Sequence, residues 1–89
     1  MEYLVFSLIL ATMNIRKSQY TEEFRRIIQK LKETRVEAGL TQQEVAKQLG
    51  VGQSFISKIE SGQYRLDILQ LQAFAELYKK RLSYFLNEK

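Results

Sequence analysis

Neither cysteine nor histidine occurs among the 89 residues, and each absence removes a class of chemistry. Without cysteine there is no disulfide framework, no thiolate metal ligand and no thiol nucleophile. Without histidine, the usual imidazole ligand of a structural zinc and the commonest general base are missing as well. Clustered carboxylates, a phosphate-binding glycine loop and metal-ligand spacing are also lacking, so an enzyme is not expected and no cofactor or metal is implied. Proline is absent, which suits a helical chain. Long apolar runs are few: "YLVFSLILATM", residues 3–13, falls short of the roughly 18 residues a membrane span needs. Glu2 is the sole charge before Arg16, so the basic start of a secretory signal is missing, and a cytoplasmic protein with no membrane partner is expected.

What remains is 45% hydrophobic and 27% charged, a composition that folds rather than stays disordered, in a chain long enough for one modest core. The net charge of +4 favours a polyanionic partner. All of that excess falls in residues 16–35, where Arg16, Lys17, Arg25, Arg26, Lys30, Lys32 and Arg35 face Glu22, Glu23 and Glu33. This stretch is either a solvated helix face or a phosphate-facing surface. The apolar start is either an upstream extension preceding Met13 or an arm that packs on a partner subunit, in which case its deletion weakens dimerisation. On this basis residues 1–20 form an arm or extension and residues 21–89 the folded domain.

Five helices and no β-hairpin signal follow from the pattern of caps and apolar spacing. Thr21, followed by Glu22 and Glu23, is expected to cap a helix with Phe24, Ile27, Ile28, Leu31 and Ala38 apolar, ending at Gly39. "TQQE" is a capping box, Thr41 with Glu44, opening a short helix that buries Val45, Ala46 and Leu49 and stops at Gly50. Gly52 then caps a third helix with Phe55, Ile56 and Ile59, closed by Gly62. Asp67 with Gln70 makes a second box ahead of Ile68, Leu71, Phe74, Ala75, Leu77 and Tyr78. Ser83 is expected to cap a last turn containing Tyr84, Phe85 and Leu86. Val51 and Leu40 read as core; Phe55 reads equally as core or as a contact residue.

Three of the four glycines lie in "GVGQSFISKIESG", residues 50–62. Two helices of about eight residues joined by a short glycine turn cross steeply, which is the arrangement in which a second helix enters the DNA major groove, or else a tight αα-turn of the kind any small helical bundle uses. The lettering sharpens this. "GLTQQEVAKQLGVGQSFISKIESGQYRLD", residues 39–67, together with "LDIL…LQAFAELY…LSYFL", resembles the phage repressor and Cro-type, or Xre, family of helix-turn-helix proteins, from about Arg35 to Leu86. The resemblance implies an all-α, five-helix, lambda repressor-like DNA-binding domain with its helix-turn-helix at helices 2 and 3.

Granted that resemblance, the polar residues on the exposed side of the third helix, Gln53, Ser54, Ser57 and Lys58, become the base readers, with Phe55 a possible thymine contact. Gln42 matches the first-turn glutamine of the family and is expected to bond a phosphate and brace Gln53. Thr41, Ser61, Gln63, Tyr64 and Arg65 are the further phosphate contacts. Arg35 and Glu60 match an ion pair that in relatives ties the first helix to the end of the third. Two departures stand out. Gly52 replaces a Ser or Thr cap, and Lys79 and Lys80 replace glycine and valine, so a fourth helix that runs longer or ends less cleanly is expected, leaving residues 79–86 and the dimer interface open.

The function so implied is a sequence-specific transcriptional regulator that binds double-stranded DNA as a homodimer on a palindromic operator, with half-sites about 34 Å apart. Leu82, Tyr84, Phe85 and Leu86 are candidate interface residues. The alternative is a protein-interaction module, such as an antitoxin binding a toxin or another regulator.

Overall fold

The computed structural model describes the backbone of residues 17–86 and the side chains of residues 22–86. The apolar stretch 3–13, and with it the arm-or-extension question, lies outside them. Among the described residues five helices follow in order: α1 Lys17–Glu37, α2 Gln42–Leu49, α3 Gln53–Glu60, α4 Ile68–Leu77 and α5 Leu82–Leu86.

α1 starts before Thr21, which is therefore an interior residue and not its cap. Nothing in "KSQY" breaks a helix, so the pattern of caps was overridden by simple continuation. The two capping boxes form as spaced. Thr41 Oγ1 accepts from the Glu44 amide at 3.1 Å while Glu44 accepts from the Thr41 amide at 2.8 Å. Asp67 and Gln70 do the same at 2.7 and 3.0 Å. Each box satisfies two otherwise unpaired donors and contributes about 1 kcal/mol.

The C-termini of α1 to α4 share one closure. At the end of α2 the Gly50 amide bonds the Lys47 carbonyl and the Val51 amide bonds the Ala46 carbonyl, with Gly50 at φ 74°. This Schellman arrangement needs a left-handed residue, which glycine supplies without a Cβ penalty. The same bond pair recurs at Gly39, at Gly62 and, in α4, at Lys79, whose φ is 59°. The fourth helix thus ends cleanly after Leu77, and the expectation of a longer or frayed end does not hold. Lysine there adopts the backbone shape usually left to glycine. α5 begins at Leu82, so Ser83 sits inside it rather than capping it.

The core is shared by all five helices: Ile28 and Leu31 from α1, Val45 and Ala46 from α2, Ile56 and Ile59 from α3, Leu71, Phe74 and Ala75 from α4, and Phe85 from α5, joined by Tyr78. Val45, Ile56 and Ile59 are wholly inaccessible, and burying each such side chain stabilises by about 1.5–3 kcal/mol. Buried Thr34 satisfies its hydroxyl by donating to the Lys30 carbonyl at 2.7 Å. Leu40, Leu49 and Phe55 pack on the core's edge, whereas Val51 is 38% exposed and not core. As the residue after the left-handed Gly50, Val51 gives its amide to the turn and leaves its side chain on the outside of the corner. Phe85 is buried against its own chain and is not free for an interface; of the four candidates there, only Leu86 is exposed.

Candidate nucleic-acid interface

α2 and α3 pack against each other across the Gly50–Gly52 turn, with the small Ala46 buried at the contact. A bulkier residue would wedge the two helices apart. The corner presents the start of α3 outward: Gln53 and Ser54 are exposed, Phe55 is half-buried, and one turn on Ser57 is half-buried and Lys58 exposed.

A single chain of polar contacts connects that exposed start to the interior. Arg35 of α1 grips Glu60 at the end of α3 with two bonds, Nε to Oε2 at 2.7 Å and Nη2 to Oε1 at 3.1 Å. Its remaining Nη1 donates to the Leu40 carbonyl at 2.8 Å, tying down the turn between α1 and α2. Glu60 Oε1 also accepts from Gln42 Nε2 at 3.0 Å, and Gln42 Oε1 accepts from Gln53 Nε2 at 2.8 Å. Both ion-pair partners are enclosed, at 12% and 4% side-chain exposure. The bonds from Glu60 hold the Arg35 guanidinium charged more firmly than usual, against the opposing effect of burial.

Within this chain Gln53 spends one amide hydrogen on Gln42. It keeps its second N–H and its Oε1 for a partner outside, the donor and acceptor pair that matches adenine N7 and N6. Gln42, by contrast, is half-buried, with its Oε1 accepting from Gln53 and its Nε2 donating to Glu60.

The loop after α3 folds back onto it. The Tyr64 ring lies 5.7 Å from that of Phe55, with Lys58 Nζ 5.5 Å from the Tyr64 centroid. Ser61 Oγ donates to the Lys58 carbonyl at 3.1 Å. Gln63, Tyr64 and Arg65 are exposed beside these residues, and Thr41 is exposed at the neighbouring start of α2. Among the residues singled out, contacts thus join Gln53 to Gln42 at the helix starts, and Phe55 and Lys58 to Tyr64 of the loop after α3.

Much of the basic stretch is engaged within the fold. Arg26 pairs with Glu23 at 2.9 Å on the surface, Lys30 Nζ sits 4.5 Å from the Tyr84 ring, and Arg35 is held by Glu60. Sequence reading missed two features. Lys80 Nζ lies 4.6 Å from the same Tyr84 ring, so two ammonium groups share one aromatic. Tyr78 has a buried hydroxyl with no hydrogen-bond partner, and burial, reinforced by the Glu60 charge and opposed by Arg35, pushes its phenol up to about 12. Tyrosine at helical spacing signals a buried ring, but no local pattern signals that its hydroxyl ends beside an ion pair.

Among the described residues no helix is long and apolar enough to cross a membrane. No cluster of acidic residues among them has the arrangement of a metal site.

Comparison with known proteins agrees with this geometry. The helix-turn-helix family matches residues 31–85, which takes in every helix from the second half of α1 to α5. A solved structure of an XRE-family like protein from Pseudomonas syringae pv. tomato str. DC3000 superposes with a TM-score of 0.71 at 32% identity, covering 86% of this chain and 89% of that one. No curated protein matches. With its all-helical fold, its glycine-turned α2–α3 corner and these matches, the chain belongs to the Xre-type helix-turn-helix family of DNA-binding regulators and is not an enzyme.

Proposed function

We propose that this regulator reads a palindromic or near-palindromic operator as a cytoplasmic homodimer, with α3 of each copy in successive major grooves about 34 Å apart. The observation that carries this reading is the Arg35–Glu60–Gln42–Gln53 chain, which orients one exposed glutamine at the leading end of an otherwise short helix. Gln53, Ser54, Ser57 and Lys58 read base edges, and Phe55 meets a thymine methyl from the flank of the helix. Thr41, Gln42, Ser61, Gln63, Tyr64 and Arg65 contact phosphates and set the register. The DNA-binding unit is residues 21–89, with residues 1–20 preceding it. Dimerisation follows from size, because a single module buries only about 600–1,000 Å² on DNA, whereas affinities of about 10⁻⁸ to 10⁻¹¹ M call for two.

The test is selection from random duplexes, followed by fluorescence anisotropy on the winner and on a scrambled control at two salt concentrations. A symmetric consensus whose preference relaxes at one mirrored pair of positions in Gln53→Ala supports the reading. Discrimination should then fall by about 1–3 kcal/mol at those positions and little elsewhere. Binding that is sequence-blind and steeply salt-dependent would mean that only the phosphate field is felt, and a protein partner such as a toxin would become the better reading.

A further inference from the structure

An open cleft of about 550 Å³ lies between the end of α1 and the start of α2, and the first residue of α3 borders it. Among its lining residues are Arg35, Val36, Thr41, Gln42, Gln43 and Gln53. Most of these are held from within the fold. Arg35 is engaged by Glu60 and the Leu40 carbonyl, Thr41 by Glu44, and both ends of the Gln42 amide by Gln53 and Glu60. Two side chains are not. Gln43 is exposed and has no hydrogen-bond partner among the described residues, and Val36 is 60% exposed although it is apolar. The cleft is thus a fixed frame that leaves one amide and one aliphatic side chain open to an incoming group.

What reaches the cleft follows from dimensions. An α-helix with its side chains is about 10–12 Å across, and the major groove of DNA is about 12 Å wide. A helix lying in that groove fills it, so the sugar–phosphate strands that wall the groove meet whatever flanks the helix on the protein. At the start of α3 the flank is this cleft. A strand offers two kinds of surface there: phosphate oxygens, which accept hydrogen bonds, and the C–H faces of deoxyribose, which do not. An amide beside an aliphatic side chain matches that pair, and the Gln43 Nε2 supplies a donor that adds no charge.

We propose that the cleft seats one deoxyribose–phosphate unit of the strand beside α3, with the Gln43 amide donating to the phosphate and Val36 packed on the sugar. Neither residue reads a base; together they set the register at which Gln53 meets the base edges. The assignment rests on α3 lying in the major groove.

The test uses the full chain and fluorescence anisotropy on three kinds of DNA: the selected consensus duplex, its scrambled control, and consensus duplexes carrying one uncharged methylphosphonate beside each half-site. Both positions are exposed enough for the fold to tolerate substitution. Gln43→Ala should weaken binding to consensus and scrambled DNA alike, by about tenfold, the effect of one hydrogen bond to a charged group. A methylphosphonate at the phosphate held by Gln43 should weaken the parent protein but affect Gln43→Ala little further, whereas losses at other phosphates should multiply. Val36→Thr, which keeps the shape and adds a hydroxyl, should weaken binding by about threefold whatever the sequence. Parent-like binding by Gln43→Ala, losses that multiply at every phosphate, or a silent Val36→Thr would overturn the assignment. Gln53→Ala, measured alongside, separates this from the placement of α3. Unrelaxed sequence preference in that variant would strike the placement of α3, while relaxed preference with a silent Gln43→Ala would strike the cleft alone.

Discussion

The α2–α3 corner and the α4–α5 corner are closed by the same two backbone hydrogen bonds, yet one turns on Gly50 and the other on Lys79. At the first corner the left-handed backbone is free of steric cost, and side chains add to it: Arg35, Glu60, Gln42 and Gln53 link three elements across it. At the second corner the backbone bears a lysine in a conformation that costs an L-residue about 1–2 kcal/mol. The surroundings hold it there. Phe85 is buried immediately beyond, and the ammonium groups of Lys30 and Lys80 both lie within 4.6 Å of the Tyr84 ring centroid. The turn is therefore specified by where its carbonyls and amides must go, and residue type decides only what that shape costs. The corner that faces a ligand is the unstrained one.

The strongest way to break this contrast is to cut the side-chain chain at its enclosed link. Glu60→Ala leaves the Arg35 guanidinium without its carboxylate and Gln42 without its acceptor, and should destabilise by about 3 kcal/mol. Replacing both members, Arg35→Met with Glu60→Leu, should recover most of that loss, because the cost lies in the uncompensated charge. Urea unfolding of the single and double variants checks this; equal losses in both would remove the argument. Ala46→Leu attacks the same corner sterically and should cost about 2 kcal/mol through overpacking, read as a lowered Tm.

The two turn residues themselves sharpen the contrast by moving in opposite directions. Gly50→Ala meets no atom within 4 Å, so its cost of about 1 kcal/mol is purely conformational. Lys79→Gly should raise stability by about the same amount, less whatever freedom glycine adds to the unfolded chain. Each kilocalorie corresponds to about 4–8 °C in Tm for a domain of this size. A Lys79→Gly variant that melts lower would mean that the lysine side chain, not the backbone, holds the second corner.

The smallest effect at neutral pH belongs to Tyr78, between the two corners. Its hydroxyl is buried and unpartnered, so Tyr78→Phe should be neutral or slightly stabilising at pH 7. In the folded state the phenol titrates near 12 against 10 when unfolded. Folding thus favours the neutral form, a contribution intact below pH 10 and lost as the pH rises from 10 towards 12. Over that window Tyr78→Phe should lose less stability than the parent. Parallel pH profiles for the two would refute the placement of the hydroxyl.

The parts of this molecule legible in its sequence are those set by neighbours a few residues apart. The Thr41–Glu44 and Asp67–Gln70 boxes depend on a three-residue spacing, and the ends at Gly39, Gly50 and Gly62 on a residue type that suits one backbone shape. Where a second residue type could be forced into that shape, at Lys79, the same reasoning failed, because the force comes from packing beyond the turn. Val51 and Phe85 were misjudged for a related reason. Apolarity announces a side chain's preference, but whether that preference is met depends on which helices close over it. Among the site residues, exposure of Gln53 and Lys58 followed from helical spacing. The link from Gln53 through Gln42 to Glu60 joins positions eleven and eighteen residues apart, and spacing along one helix cannot reveal it.

One asymmetry among the helix starts has a thermodynamic outcome. α2 and α4 are each completed at their beginning by their own residues, whereas α3 starts at Gly52 with no side chain accepting from its first turn. The Phe55 amide bonds the Gly52 carbonyl at 3.1 Å, so the amides left without a side-chain cap are those of Gln53 and Ser54. Binding and folding are linked, and a ligand at a hundred times its Kd adds about 2.7 kcal/mol to the folded state. The domain is a gauge of its own occupancy: its melting temperature climbs with the concentration of what it reads.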